Sequence, residues 1–317
     1  MGSPVEKSSS DAVVTVVGAG IAGAACAVAL TRAGVPVRVV DRGRAPGGRM
    51  SSPAVHGRRV DLGAGYFTVK DDGFAEVVAG WERAGLARPW TDTFSTLSPL
   101  EAPGSKSGPV RWATPGGLRS LVRALLAEAG VEVEQDVEVT ALPDGPVVVA
   151  MPDPQAQRVF AAPELRFVDY EPVIAVACGY AAHDWPALHD AAFVNDHADV
   201  SFVADDGSRR GDGAAVLVAH TTPERARAHL DSPDDAVPHV VAALRDLLGT
   251  PDPTWTHVQR WTFAKPADRH ETSFHLHTAG GAPVGLAGDQ WCPEGSPRVE
   301  SAWRSGTDVA GAVVAAL

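Results

Sequence analysis

The chain has 317 residues, 45% of them apolar and 21% charged, with a net charge of −12. That length fits two ordinary domains, and the acidic balance excludes nucleic-acid backbone and anionic membrane as main partners. The sequence lacks an apolar run of about 18 residues, so no membrane span is expected. The opening MGSPVEKSSS has no apolar stretch of the secretory kind, so residues 1–10 read as a polar, disordered leader and a cytoplasmic location is expected.

The first apolar run, 13–17, is β-branched and too short for a helix, so it predicts a buried strand. A glycine-rich turn follows, then an Ala-rich helix over 21–32, stopped at Gly34, and a second β-branched strand over 35–40. Residues 42–70 read as loop, 73–86 as helix, and 91–110, rich in Pro, Ser and Gly, as irregular. A helix is expected over 118–129, two short strands within 131–142, and a buried strand over 147–151. Strand and helix signals mix from 163 to 265. A last strand is expected over 284–288 and a last helix over 299–316, with Ser296 as its N-cap and Pro297 in its first turn. Cys26, Cys178 and Cys292 form no C-x-x-C, which argues against a zinc ribbon or a dithiol redox centre.

Gly18-Ala19-Gly20-Ile21-Ala22-Gly23 lies directly between a predicted strand and a predicted helix. Dinucleotide binding needs this pattern. Gly18 permits the tight turn, Gly20 lets backbone approach a pyrophosphate, and Gly23 lets helix and strand pack closely. The helix start then offers N–H groups and partial positive charge to the phosphates. Asp41 ends the second strand, 18 residues beyond Gly23, where a carboxylate can bond both hydroxyls of an unphosphorylated ribose.

The segments that follow are Asp41-Arg42-Gly43-Arg44-Ala45-Pro46-Gly47-Gly48-Arg49-Met50, Gly63-Ala64-Gly65-Tyr66-Phe67, and Gly288-Asp289 ahead of Arg298-Val299-Glu300-Ser301. On these residues the sequence resembles the FAD-dependent amine-oxidase-like flavoproteins, and within them the renalase-like branch. The resemblance implies an α/β fold. A Rossmann-type FAD-binding domain would be made from residues 11–70, 111–162 and 271–317. A mixed-sheet α+β substrate domain, inserted as in p-hydroxybenzoate-hydroxylase-like topologies, would comprise 71–110 and 163–270.

The resemblance also implies FAD held non-covalently. The fingerprint glycines and their neighbours, Asp41 and Arg42 would bind it, together with Gly47, Gly48, Arg49 and Met50. Further contacts would come from Gly63, Ala64, Gly65 and Tyr66, from the backbone of Val139 beside the adenine, and from Gly288, Asp289, Arg298, Val299 and Ser301. A helix starting near Val299 would point its N-terminus at the flavin pyrimidine ring, where reduced flavin gathers negative charge. The sequence departs from the family at Gly65, where many relatives carry Gln, and at Thr262-Phe263, where Arg and Tyr are usual.

A second fingerprint is absent, so electrons are expected to reach flavin N5 directly from a small reduced substrate, with O₂ as acceptor and hydrogen peroxide as product. The resemblance implies a dihydronicotinamide, an aberrant ring isomer of NAD(P)H, which needs orientation more than acid–base help. The alternatives are oxidation of an amine or a natural-product intermediate, and flavin binding without turnover. Tyr66, His220, Trp261, Lys265 and Trp291 are the candidates to face flavin and substrate. His270, His275 and His277 read as surface residues, no metal site is expected, and Arg209-Arg210 reads as a charged turn. Oligomeric state is left open.

Overall fold

The computed structural model describes residues 12–160 and 165–317, so the expected leader lies outside the described residues. From the N-terminus run β1 (Val14–Val17), α1 (Ile21–Arg32), β2 (Val37–Val40), β3 (Ala54–Val55), β4 (Arg58–Arg59) and α2 (Asp72–Arg83). Next come β5 (Arg88–Leu97), β6 (Gly104–Ala113), α3 (Arg119–Ala129), β7 (Val133–Glu134), β8 (Val147–Ala150) and α4 (Asp153–Val159). The second half holds β9 (Tyr170–Gly179), β10 (Ala191–Val194), β11 (Val200–Asp205), α5 (Asp206–Arg210), β12 (Val216–Thr221), α6 (Pro223–Ala228) and α7 (Val237–Leu248). It closes with β13 (Trp255–Pro266), β14 (His275–Ala279), β15 (Ala282–Ala287) and α8 (Val299–Ala316).

Residue contacts divide the chain into two compact units. Among the described residues, unit 1 holds 12–48, 122–160, 165–169 and 266–317; unit 2 holds 49–121 and 170–265. The expected domains differ at their edges: 49–70 and 111–121 pack in unit 2. The reason is physical. Val55, Val60 and Leu62 bury themselves against Ala175, Ala177 and Val218 of the second sheet, and 111–113 belong to one of its strands.

Unit 1 is built on a six-stranded sheet in the order β14-β15-β8-β1-β2-β7, parallel except for β14 against β15. Parallel strands buried on both faces read as unbroken β-branched runs, which is how β1 and β8 appear. Helix α1 is buried almost all round, as an Ala-rich helix without a polar face must be.

Unit 2 carries a seven-stranded sheet in the order β13-β9-β12-β11-β10-β5-β6, in which β9 to β10 run antiparallel in turn, β10 lies parallel to β5, and β5 pairs antiparallel with β6. One face, with Ile174, Val176, Leu217 and Ala219, packs against Ala226 of α6 and Val240, Leu244 and Leu248 of α7. The opposite face carries Ala175, Ala177 and Val218, and His220 shares their side by the period of two along β12.

The region 91–110, expected to be irregular, is instead the β5–β6 hairpin. Its outer strand is exposed from Gly104 to Val110, so neither face is apolar enough to leave an alternating pattern. Pro109 is tolerated because β6 is an edge strand. Within 131–142 only Val133–Glu134 forms a strand, and Asp136 turns away at φ 57°. The final helix starts at Val299 with Arg298 as N-cap rather than Ser296, because Ser301 Oγ accepts the Arg298 N–H at 2.8 Å.

Arg209 and Arg210 are not a solvated turn. They are 0% and 6% exposed, inside a cluster of opposite charges. Arg209 holds Asp206 through Nε and Nη2, and Arg210 Nη2 lies 2.7 Å from Asp61 Oδ2. Arg58 bridges Asp206 and Asp212. Burial alone would raise the Asp206 carboxyl pKa, but Arg209, Arg210 and Arg58 together hold it below its ordinary value. Its stabilisation is therefore complete above the unfolded carboxylate range and is lost as pH falls through the lowered native value. Asp206→Asn should leave buried guanidinium charge uncompensated and cost about 3–5 kcal/mol in urea unfolding at neutral pH. Wild-type stability in that variant would show that the cluster is not cooperative.

Candidate functional site

In unit 1 the β1–α1 turn has the shape the fingerprint requires. A Cβ at Gly23 would lie 1.9 Å from the Gly18 carbonyl oxygen, so helix and turn approach as only glycine allows. At Gly20, the N-cap of α1, a Cβ would meet no atom of the protein within 4 Å. That N-cap has no side-chain hydrogen bond, and the first turn holds no acidic residue. Bare N–H groups beside open space are what a pyrophosphate needs, so these residues fit a dinucleotide.

Asp41 Oδ2 accepts the Ala19 N–H and Oδ1 the Gly43 N–H, both at 2.6 Å. The carboxylate thus fixes the turn, and each oxygen has a second lone pair that could accept a further donor. The Gly47 N–H donates to the Ala19 carbonyl at 2.8 Å, which lays this loop along the fingerprint. Arg42 is exposed. Val137 and Val139 pack against the core of unit 1, and the Val137 N–H donates to the Asp41 carbonyl. The Gly288 N–H donates to Ser305 Oγ, tying the end of β15 to α8. Asp289 is buried, and Ser301, in the first turn of α8, accepts from Arg298 as described.

Trp291 is 2% exposed and lies in the core of unit 1. His270 stacks on it at 3.6 Å and 11°, contrary to the expected surface position. The His270 Nε2 lies 2.6 Å from Asp153 Oδ2, which also accepts the Val168 N–H, while Gln290 Nε2 donates to Oδ1. This arrangement fixes the 288–291 segment against the start of α4. Among the described residues no His, Cys, Asp or Glu cluster is arranged to hold a metal.

Unit 2 holds the other candidates. Arg49 Nη1 donates to the Ala264 carbonyl at 3.0 Å, and its guanidinium lies 5.5 Å from the Tyr170 ring centroid. Met50 is buried. The Ala64 N–H donates to the Arg49 carbonyl, and a Cβ at Gly63 would collide with that same oxygen at 1.9 Å. Trp261 Nε1 donates to the Leu62 carbonyl at 2.7 Å, so Trp261 holds the loop rather than standing free. Arg209 Nη1 donates to the Gly65 carbonyl and Nη2 to the Asp61 carbonyl. The charged cluster therefore fixes the loop 61–65 from beneath.

Tyr66 stands edge-on to Phe94 with centroids 5.2 Å apart and lies 6.3 Å from Phe202. Phe202 lies 5.5 Å from His220, and Phe193 packs against both Phe94 and Phe202. The family departure at position 65 has a steric account here. A Cβ at Gly65 would meet the Phe202 ring at 3.0 Å, so Phe202 occupies the room a longer residue would need. Phe94, Phe193, Phe202 and Arg111 join this group although sequence reasoning passed them over. They come from the polar hairpin and from the region of mixed signals.

The His220 Nε2 is buried without a hydrogen-bond partner in the protein. Burial, then the positive charges of Lys265 and Arg209, push its pKa down to about 3, so the ring is neutral at working pH. Lys265 itself is exposed on β13. His220, Tyr66 and Lys265 thus fall in one neighbourhood of unit 2, whereas Trp291 belongs to unit 1.

Two tests follow from this geometry. Gly20→Val should fold with the melting temperature of flavin-free wild type, since a Cβ there meets no protein atom within 4 Å, yet retain no flavin by absorbance. Flavin retention would place the phosphates elsewhere. As pH falls from 6.5 toward 3 the unfolded chain takes up a proton that native His220 refuses, so stability declines by up to about 1.4 kcal/mol per pH unit. His220→Gln should remove that component from urea unfolding at pH 4.5 against pH 7, and an unchanged difference would put His220 in solvent.

Comparison with known proteins identifies the family. Residues 16–79 match the model of an NAD(P)-binding Rossmann-like domain, and 83–314 match that of flavin containing amine oxidoreductase. Among solved structures, a putative protoporphyrinogen oxidase from Exiguobacterium sp. 255-15 superposes with a TM-score of 0.75 at 13% identity. Cyclohexylamine oxidase from Brevibacterium oxydans IH-35A gives 0.72 at 16%, and putrescine oxidase bound to putrescine gives 0.70 at 15%. Each alignment covers 96% of this chain and 99% of the other. The chain belongs to the flavin-containing amine oxidoreductase family and is an FAD-dependent oxidoreductase.

Proposed function

We propose that the chain is a renalase-like oxidase that takes hydride from a dihydronicotinamide ring, with O₂ as the final acceptor. One observation carries the reading: the Tyr66–Phe202–His220 neighbourhood is aromatic, and no buried carboxylate of unit 2 is left to receive a protonated amine. Asp61 and Asp206 are engaged by arginines. Asp205 receives His183, Trp185 and the Ser208 N–H. A cationic ring or amine gains nothing from these groups, whereas a neutral, planar dihydropyridine stacks on Tyr66 and Phe202.

When bound, FAD supplies a two-electron acceptor at N5 of its isoalloxazine. The protein's part is orientation. Tyr66 and Phe202 restrain the plane of the substrate ring, and neutral His220 offers one unpaired ring nitrogen to a polar substituent such as a carboxamide. The arginine cluster keeps the loop carrying Tyr66 in place through the Gly65 carbonyl. No side chain has to accept a proton in the first step, because the hydrogen leaves as hydride. The balance is one dihydronicotinamide, one O₂ and one proton in, and one nicotinamide cation and one H₂O₂ out.

Anaerobic mixing of the flavin-loaded protein with ring isomers of NAD(P)H and with aliphatic and aromatic amines tests the reading. The visible flavin absorbance should bleach within seconds with an aberrant dihydronicotinamide isomer and stay unchanged with amines. Rapid bleaching by an amine alone would make it an amine oxidase. Bleaching by no donor would make it a flavin-binding protein without turnover.

A further inference from the structure

Unit 2 buries three guanidinium groups at 6% exposure or less: Arg209, Arg210 and Arg111. The first two face carboxylates. Arg111 forms no ion pair among the described residues. Its Nη1 donates to a neutral acceptor, the Asp92 carbonyl oxygen, at 2.6 Å, and its Nε is buried with no hydrogen-bond partner. The group is surrounded by rings: its carbon lies 3.9 Å from the Phe94 centroid, 5.7 Å from Tyr66 and 6.0 Å from Phe193. Ring faces attract a cation, but they accept no N–H hydrogen bonds of ordinary strength. A guanidinium has five N–H donors, and a buried cation without a counter-ion is costly. Position 108 on the same strand is glycine, where a Cβ would stand 3.5 Å from Arg111 Nη2.

We propose that Arg111 is a binding residue for the anionic group, carboxylate or phosphate, of an aromatic substrate whose ring rests on Tyr66 and Phe202. The proposal rests on the oxidase reading for the identity of the substrate, but not for the existence of the subsite. It gives the subsite two parts. The rings supply flat contact area, and the one unpaired buried cation supplies charge selection. An anion there would complete the guanidinium's hydrogen bonding and neutralise it, with the planar fork favouring a bidentate oxyanion. It also sets the preference against diamines, since a second ammonium would meet Arg111.

Calorimetric titration of the flavin-loaded protein with benzoate, phenyl phosphate and neutral benzamide tests this. At least one anion should bind ten-fold or more tighter than benzamide, and the tighter of the two anions identifies the group recognised. Arg111→Met should remove that preference and leave benzamide within two-fold. Arg111→Lys should retain part of it, because charge remains and the fork does not. Wild-type protein that binds benzamide as tightly as both anions overturns the proposal without any variant, so a poorly folding Arg111→Met leaves it testable. Anion binding unchanged in a folded Arg111→Met or Arg111→Lys also overturns it. A protein that selects anions through Arg111 but is bleached by no dihydronicotinamide would retain the subsite and refute the oxidase reading.

Discussion

The loop that carries Gly63 to Tyr66 has little regular structure of its own. It is held by buried electrostatics. Arg209 reaches the carbonyls of Asp61 and Gly65 with the same guanidinium that it shares with Asp206. Asp61 in turn receives Ser52 and the Leu118 N–H on one oxygen and Arg210 on the other. Charges this deep are tolerated because each is matched by an opposite charge and by backbone acceptors. They are then directional, which hydrophobic packing is not. The position of Tyr66, and hence of the aromatic group beside it, depends on that directionality.

Unit 1 uses a different device. Its dinucleotide turn is defined by where side chains are missing, with the strand–helix distance set by contact at Gly18 and Gly23. The stack of His270 on Trp291, anchored by Asp153, performs for the 288–291 segment what the arginines perform in unit 2. It locks an irregular stretch by satisfying a buried carboxylate completely.

Much of unit 1 was legible in the sequence, because parallel strands and a glycine turn leave compact local signals. The helix over Ile21–Arg32 and that over Val299–Ala316 were readable to the residue, and β8 nearly so. Unit 2 was far less legible. The β5–β6 hairpin is polar and exposed along its outer strand, and its inner strand is completed by β10, distant in sequence. Arg209-Arg210 looked like surface because a charged doublet usually is. Only the tertiary placement of Asp61, far upstream, reveals that it is core. Arg111 was invisible for a similar reason: what distinguishes it is a missing partner, and a missing partner has no sequence pattern.

Gly65 and Phe202 share one volume. The residue that lines this spot comes from β11 rather than from the loop, so the same room is filled by a ring hinged on a sheet instead of a flexible amide. A sheet-borne ring has two torsions and a rigid base, and so gives a harder, less adaptable wall. The spot is therefore defined by shape rather than by hydrogen bonding. Re-tailoring it would require changing both positions as a pair, since an enlarged side chain at 65 has no room until Phe202 is made smaller.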